Sequence, residues 1–120
     1  MAFNKEQLLA ELAHFTGTIQ WFKNPLFPSY KYTEGVKHLA EKTESYWLID
    51  YILSNQSISE IKSTEFQVWK INVIDTRATI QVEDGNYGIV KEFTIPFTDF
   101  PFPEFKLWFV NKTLLLPSEY

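Results

Sequence analysis

The side chains best equipped for chemistry lie between Tyr32 and Asp50, in the stretch YTEGVKHLAEKTESYWLID. It holds a phenol at Tyr32, an imidazole at His38, an indole at Trp47 and a carboxylate at Asp50. An imidazole and a carboxylate within hydrogen-bond reach make a general acid–base pair, and a carboxylate in apolar surroundings has its pKa raised. On that reading Tyr32, His38, Trp47 and Asp50 line a pocket between helices and sheet, where a small molecule binds or reacts. The competing reading is structural. Asp50 leaves the helix through its one polar gap, or accepts a hydrogen bond from Tyr46 or Trp47 one turn away. His38 then pairs along the outer face with Glu34 or Glu41, as Lys37 does with Glu41.

Spacing favours the structural reading. His14 and His38 are the only histidines, and neither sits in an HxH or HExxH pattern. No serine occupies a GxSxG elbow, and the four glycines form no phosphate-binding loop. There is no cysteine, which removes thiolate nucleophiles, disulfides and the common zinc sites together. DGNYG at 84–88 lacks the further oxygen ligands of a calcium loop and reads as a hairpin turn. No catalytic residue, metal site or cofactor is indicated.

The elements that carry these residues follow from periodicity. NKEQLLAELAH at 4–14 reads as a helix, with Asn4 as N-cap, Gln7 three residues later and Leu8, Leu9, Leu12 and Phe15 on one stripe. Gly17 suits the left-handed conformation beyond its end. TIQWFKNPLFPSYKY at 18–32 reads as irregular, because Pro25 and Pro28 forbid a helix interior or a central strand. Thr33 caps a helix whose inner stripe is Val36, Leu39 and Ala40. A break at Thr43–Ser45, with Ser45 or Thr43 as cap, separates it from a second helix over 46–55. That helix is apolar on most of its circumference and belongs in the core. The period then changes. FQVWKINVI at 66–74, ATIQVE at 78–83, a strand near 88–96, and the pair KLWFV and TLLL read as strands joined by hairpins. The fold class is α+β in one domain over 1–120. Its N-terminal helices pack on one face of an antiparallel sheet of about four to five strands.

Composition narrows function. The net charge is −4 with a single arginine, Arg77, which argues against a phosphate-binding patch and against nucleic acid as a partner. MAFNKEQLLAELAHF places charges inside its apolar pattern, unlike a signal peptide, and no apolar run spans a bilayer. These features point to a cytoplasmic protein without membrane attachment. Aromatic residues make up 18 % of the chain. Rings beyond those a core absorbs mark partner sites. Trp21, Phe22, Phe27 and Tyr30, with Phe100 and Phe102 in the connector TDFPFP, are the candidate partner-binding surface; the competing reading is that the 18–32 segment packs over the core as a lid. The leading expectation is therefore a non-enzymatic protein-interaction module with a protein partner. The C-terminal strands lack edge-guarding charges, so a homodimer follows if one of them lies at the sheet edge. A third reading, an acidic decoy for a nucleic-acid-binding protein, needs Glu83, Asp84, Glu92, Asp99, Glu104 and Glu119 to form one continuous face.

Several phrases occur together: FTGT at 15–18, the 32–50 stretch, FQVWKINV at 66–73, EDGN at 83–86, FTDFPFPEFKLWFVN at 97–111 and LLLPSEY at 114–120. In combination the chain resembles a family of small bacterial proteins known only as a domain of unknown function. Its members occur in cyanobacteria and on mobile elements. The resemblance spans nearly the whole chain and implies no activity, cofactor or site residue. NPLFPS and Asn111-Lys112 depart from its usual pattern.

Overall fold

The computed structural model describes residues 4–17 and 20–120; Thr18 and Ile19, at the start of the segment read as irregular, lie outside the described residues. Helix α1 (Lys5–Ala13) begins where Asn4 Oδ1 accepts the Gln7 N–H at 2.9 Å. Two short strands follow, β1 (Trp21–Lys23) and β2 (Lys31–Thr33), then α2 (Glu34–Thr43) and α3 (Tyr46–Ser54). A 3-10 turn (Asn55–Ser57) and the single turn α4 (Ser59–Lys62) lead into β3 (Phe66–Ile74), β4 (Arg77–Glu83), β5 (Ile89–Ile95), β6 (Glu104–Val110) and β7 (Thr113–Leu115). A second 3-10 turn (Pro117–Glu119) closes the chain.

The α+β class holds, but the sheet is larger than expected and mixed. Among the described residues it has seven strands, in the order β1-β2-β7-β6-β3-β4-β5. The added strands are β1 and β2, from the segment read as irregular. Its prolines lie between the strands, at 25 and 28, and so interrupt neither ladder. β2 pairs with β7 in parallel, the one parallel ladder among the described residues. The β6–β7 hairpin is therefore interior, and the sheet edges are β1 and β5. That removes the edge-strand argument for a homodimer through this hairpin.

Alternation along the central strands separates two faces. Trp69, Ile71, Ile80, Leu107 and Leu114 are buried in the main core with Leu48, Ile49, Ile52 and Leu53 of α3. Phe93 joins the layers, with Trp69 stacked on it at 6.3 Å and Tyr51 of α3 edge-on at 5.6 Å. On the opposite face Phe66 and Trp108 meet at 5.0 Å, and both touch the ring of Tyr120 beyond the last turn. The chain thus puts structure on both faces rather than only one.

Buried polar side chains fix how the layers meet. Gln56 and Gln67 exchange amide hydrogen bonds at 2.9 Å each way. Gln67 also donates to the Ile61 carbonyl at 2.8 Å and accepts from the Trp69 indole N–H at 2.9 Å. The end of α3 and α4 are thereby tied to β3. A second lock joins the chain's two halves. The Glu119 carboxylate accepts from the Thr33 hydroxyl at 2.6 Å, the Gly35 N–H at 3.2 Å and the Leu116 N–H at 3.1 Å. Thr33 Oγ1 in turn caps the Val36 N–H at 3.3 Å. The N-terminus of α2 thus receives a neutral cap and a negative charge, both favoured there.

The break between α2 and α3 is at the expected place, though its chemistry differs. Glu44 takes a left-handed conformation at φ 53°. The Ser45 hydroxyl bonds to Thr43 instead of capping α3. Asn111 and Lys112 both have positive φ, 54° and 59°, as the β6–β7 turn requires.

Two stability predictions follow. A Cβ on residue 35 would lie 2.5 Å from Glu119 Oε1 and 2.6 Å from Leu116 Cδ1. Gly35→Ala is expected to lower unfolding free energy by about 2 kcal/mol or more through loss of the cap, measured by urea denaturation. Lys112→Gly relieves a left-handed lysine and should raise stability by up to about 1 kcal/mol, in the same assay.

Candidate functional site

The four residues of the anticipated pocket are held by separate partners. His38 on α2 bonds to Glu11 of α1, Nε2 to Oε1 at 2.7 Å, with Phe15 packed 5.5 Å from its ring. Its hydrogen-bond partner lies across the helix pair rather than one turn away. Lys37 and Glu41 do pair, at 3.2 Å. Asp50 accepts a 2.8 Å hydrogen bond from Asn24 Nδ2, rather than from Tyr46 or Trp47. Tyr32 is buried and stacks on Phe22 at 5.7 Å. Burial chiefly pushes its hydroxyl pKa up; Lys37 opposes this and Asp50 adds to it. The phenol therefore stays protonated at physiological pH. Trp47 is half-buried against the core. His38 and Asp50 share no hydrogen bond, so no imidazole–carboxylate pair forms between them.

The six candidate partner-binding rings also divide. Phe100 and Phe102 are buried, 5.8 Å apart, and Phe102 stacks on Phe105 at 5.3 Å. The connector that carries them folds inward because its ends are tied: Thr98 N–H donates to the Thr76 carbonyl at 2.7 Å and Val73 N–H to the Pro103 carbonyl at 2.8 Å. They are core residues, which corrects their assignment to an exposed surface. Phe22, Phe27 and Tyr30 are half-buried against the core, Tyr30 edge-on to Phe109 at 5.7 Å. Trp21 alone of the six is exposed, at 53 %. Strand alternation explains the split at β1, where Phe22 lies opposite Tyr32 and Trp21 opposite Thr33.

The segment between β1 and β2 has a defined shape. Asn24 is buried, and its Oδ1 accepts the N–H groups of Leu26 at 2.8 Å and Phe27 at 3.0 Å. Its Nδ2 is the donor to Asp50, so one amide organises the loop and pins it to α3. Leu26 is turned outward at 67 % exposure. Sequence reasoning missed Leu26 because it weighed only rings. The signal was present in NPLFPS: an Asn two residues ahead of Leu26 forms an Asx turn, flanked here by prolines.

The acidic residues do not form one face. Glu119 is buried at the α2 terminus, and Glu83 is buried with its carboxylate 3.0 Å from Lys70 Nζ. Asp84 serves the hairpin: its Oδ1 accepts from the Asn86 and Gly88 N–H groups, which hold its pKa down. Among the described residues no group of three or more His, Asp or Glu is placed to hold a metal ion. Nor is any helix there long and apolar enough to cross a membrane.

A family model described as a family of unknown function, DUF6876, matches residues 6–120. The chain belongs to this family. Comparison with curated proteins and with solved structures returns no match.

The Glu11–His38 bond has a pH signature. That hydrogen bond is the main cause holding the Glu11 carboxyl below its ordinary 4.5; burial opposes it, and the charges of His38 and Lys42 assist. A depressed folded-state pKa means the contribution is complete above the unfolded value and is lost as pH falls through the folded one. The thermal midpoint of the wild type should therefore fall more steeply than that of Glu11→Gln as pH drops below 4.5. Parallel curves for the two proteins would show that the pair is energetically silent.

Proposed function

We propose that this protein is a non-enzymatic partner-binding module whose contact element is the arm from Trp21 to Tyr30. The observation that carries this reading is a preorganised loop displaying an apolar side chain. The buried Asn24 amide satisfies the loop backbone and ties it to Asp50, while Leu26 and Trp21 are left in water. Phe22, Phe27 and Tyr30 root the arm in the core. A loop already held in shape loses little conformational freedom when a partner closes over it. Exposed apolar groups on such an element are what interface anchors look like before binding. The polar side chains that invited a chemical reading are engaged in internal pairs, which supports a binding role over bond-making. Bacterial origin and a mobile-element setting, implied by the resemblance, suit a module that engages a host protein.

Trp21→Ala and Leu26→Ala should leave the thermal midpoint nearly unchanged. Each should weaken capture of a cognate partner by about 2 kcal/mol or more if it is an anchor. Asn24→Ala should weaken capture and lower the midpoint together, because it frees the loop and strips Asp50 of its donor. Affinity capture from native lysate, followed by binding isotherms on the recovered protein, measures all three. Capture insensitive to both Trp21 and Leu26 would remove the arm as the contact element.

A further inference from the structure

A second surface breaks a local rule of sheet design. Lys70 on β3 and Lys106 on β6 are direct cross-strand partners. Directly opposed residues share a face with Cβ atoms only about 5 Å apart, and like charges there are destabilising. Lys70 is neutralised by Glu83 at 3.0 Å. Lys106 takes part in none of the ion pairs formed among the described residues. Both lysines line a groove of about 500 Å³ between α1, the β3–β6 pair and the C-terminal turn. Its apolar lining includes Leu9, Leu12, Phe105 and Leu116. Leu9 is 48 % exposed there. The groove shares no lining residue with the Trp21–Tyr30 arm.

An apolar trough with an uncompensated cation on its wall is complementary to one kind of small molecule. We propose that this groove binds an amphipathic carboxylate, with the apolar chain on Leu9, Leu12 and Leu116 and the anionic head at Lys106. The volume lies within the roughly 300–1,000 Å³ typical of small-molecule sites. The head group supplies the negative charge that Lys106 finds in none of the ion pairs among the described residues. Glu104 lines the same groove and carries like charge to the ligand, which directs the head group toward Lys106.

The test uses the full chain and decanoate below its micelle concentration, followed by backbone amide NMR. Decanoate should shift resonances at Leu9, Leu12, Phe105 and Leu116, and decanol should bind at least several-fold more weakly. Lys106→Glu should raise the decanoate Kd about tenfold or more, equivalent to one charge-assisted contact. Lys62→Glu, which makes the same charge change on α4, should leave it within about twofold, as expected for a screened distant charge. Lys106→Glu should also keep the thermal midpoint, since Lys106 takes part in none of the ion pairs among the described residues. The proposal is overturned if decanoate shifts no groove resonance or if decanol binds equally well. It fails too if Lys106→Glu binds like the wild type, or if that variant lowers the midpoint and so marks Lys106 as structural.

Discussion

One buried carboxylate organises the architecture. Glu119, near the end of the chain, sits over the first turn of α2 and accepts hydrogen bonds from Thr33, Gly35 and Leu116. A carboxylate away from water is tolerated only when hydrogen-bonded, and here the helix terminus supplies the donors. Gly35 is the matching concession, because any side chain at that position would meet the carboxylate. The contact also explains the one parallel ladder. Thr33 ends β2 and Glu119 follows β7, so holding the two together brings these strands alongside in the same direction. The C-terminal turn then lies against the face that carries Phe66 and Trp108, with Tyr120 on both rings.

The same economy recurs at two other joints. Asn24 with Asp50 ties the β1–β2 arm to α3, and Gln56 with Gln67 ties α3 and α4 to β3. In each case a polar side chain in or near the core is hydrogen-bonded to a partner on another element. Among the described residues no buried side-chain nitrogen or oxygen is left without a hydrogen bond. Such pairings specify register, since a slip would strand a buried donor or acceptor. The candidate chemistry of the 32–50 stretch is absorbed in this way. His38 and Asp50 are each committed to a structural neighbour, and the surfaces left over are apolar or uncompensated in charge: Leu26 and Trp21 on the arm, Lys106 above its groove.

Much of the local structure was legible. Helix α1 with its Asn4 cap, the α2 cap at Thr33, and the break before α3 follow from short-range chemistry. So do the strands β3 to β6 and the positive-φ turn at Asn111. β1 and β2 were not legible, because three-residue strands beside prolines carry no period. They exist only because β7 offers a partner edge. Phe100 and Phe102 were misplaced for a related reason. A proline-rich connector reads as surface until the backbone bonds at its two ends pull it across the core.

Periodicity, capping residues and turn chemistry by themselves determined an α+β chain whose apolar central helix packs on β-structure, because these depend on neighbours within a few residues. Tertiary structure alone decided the seven-strand mixed sheet, the partners of Asp50, His38 and Glu119, and which aromatic rings face water. Those outcomes rest on contacts between residues as far apart as Thr33 and Glu119, and a hydrogen-bond partner across such a distance leaves no mark in local pattern.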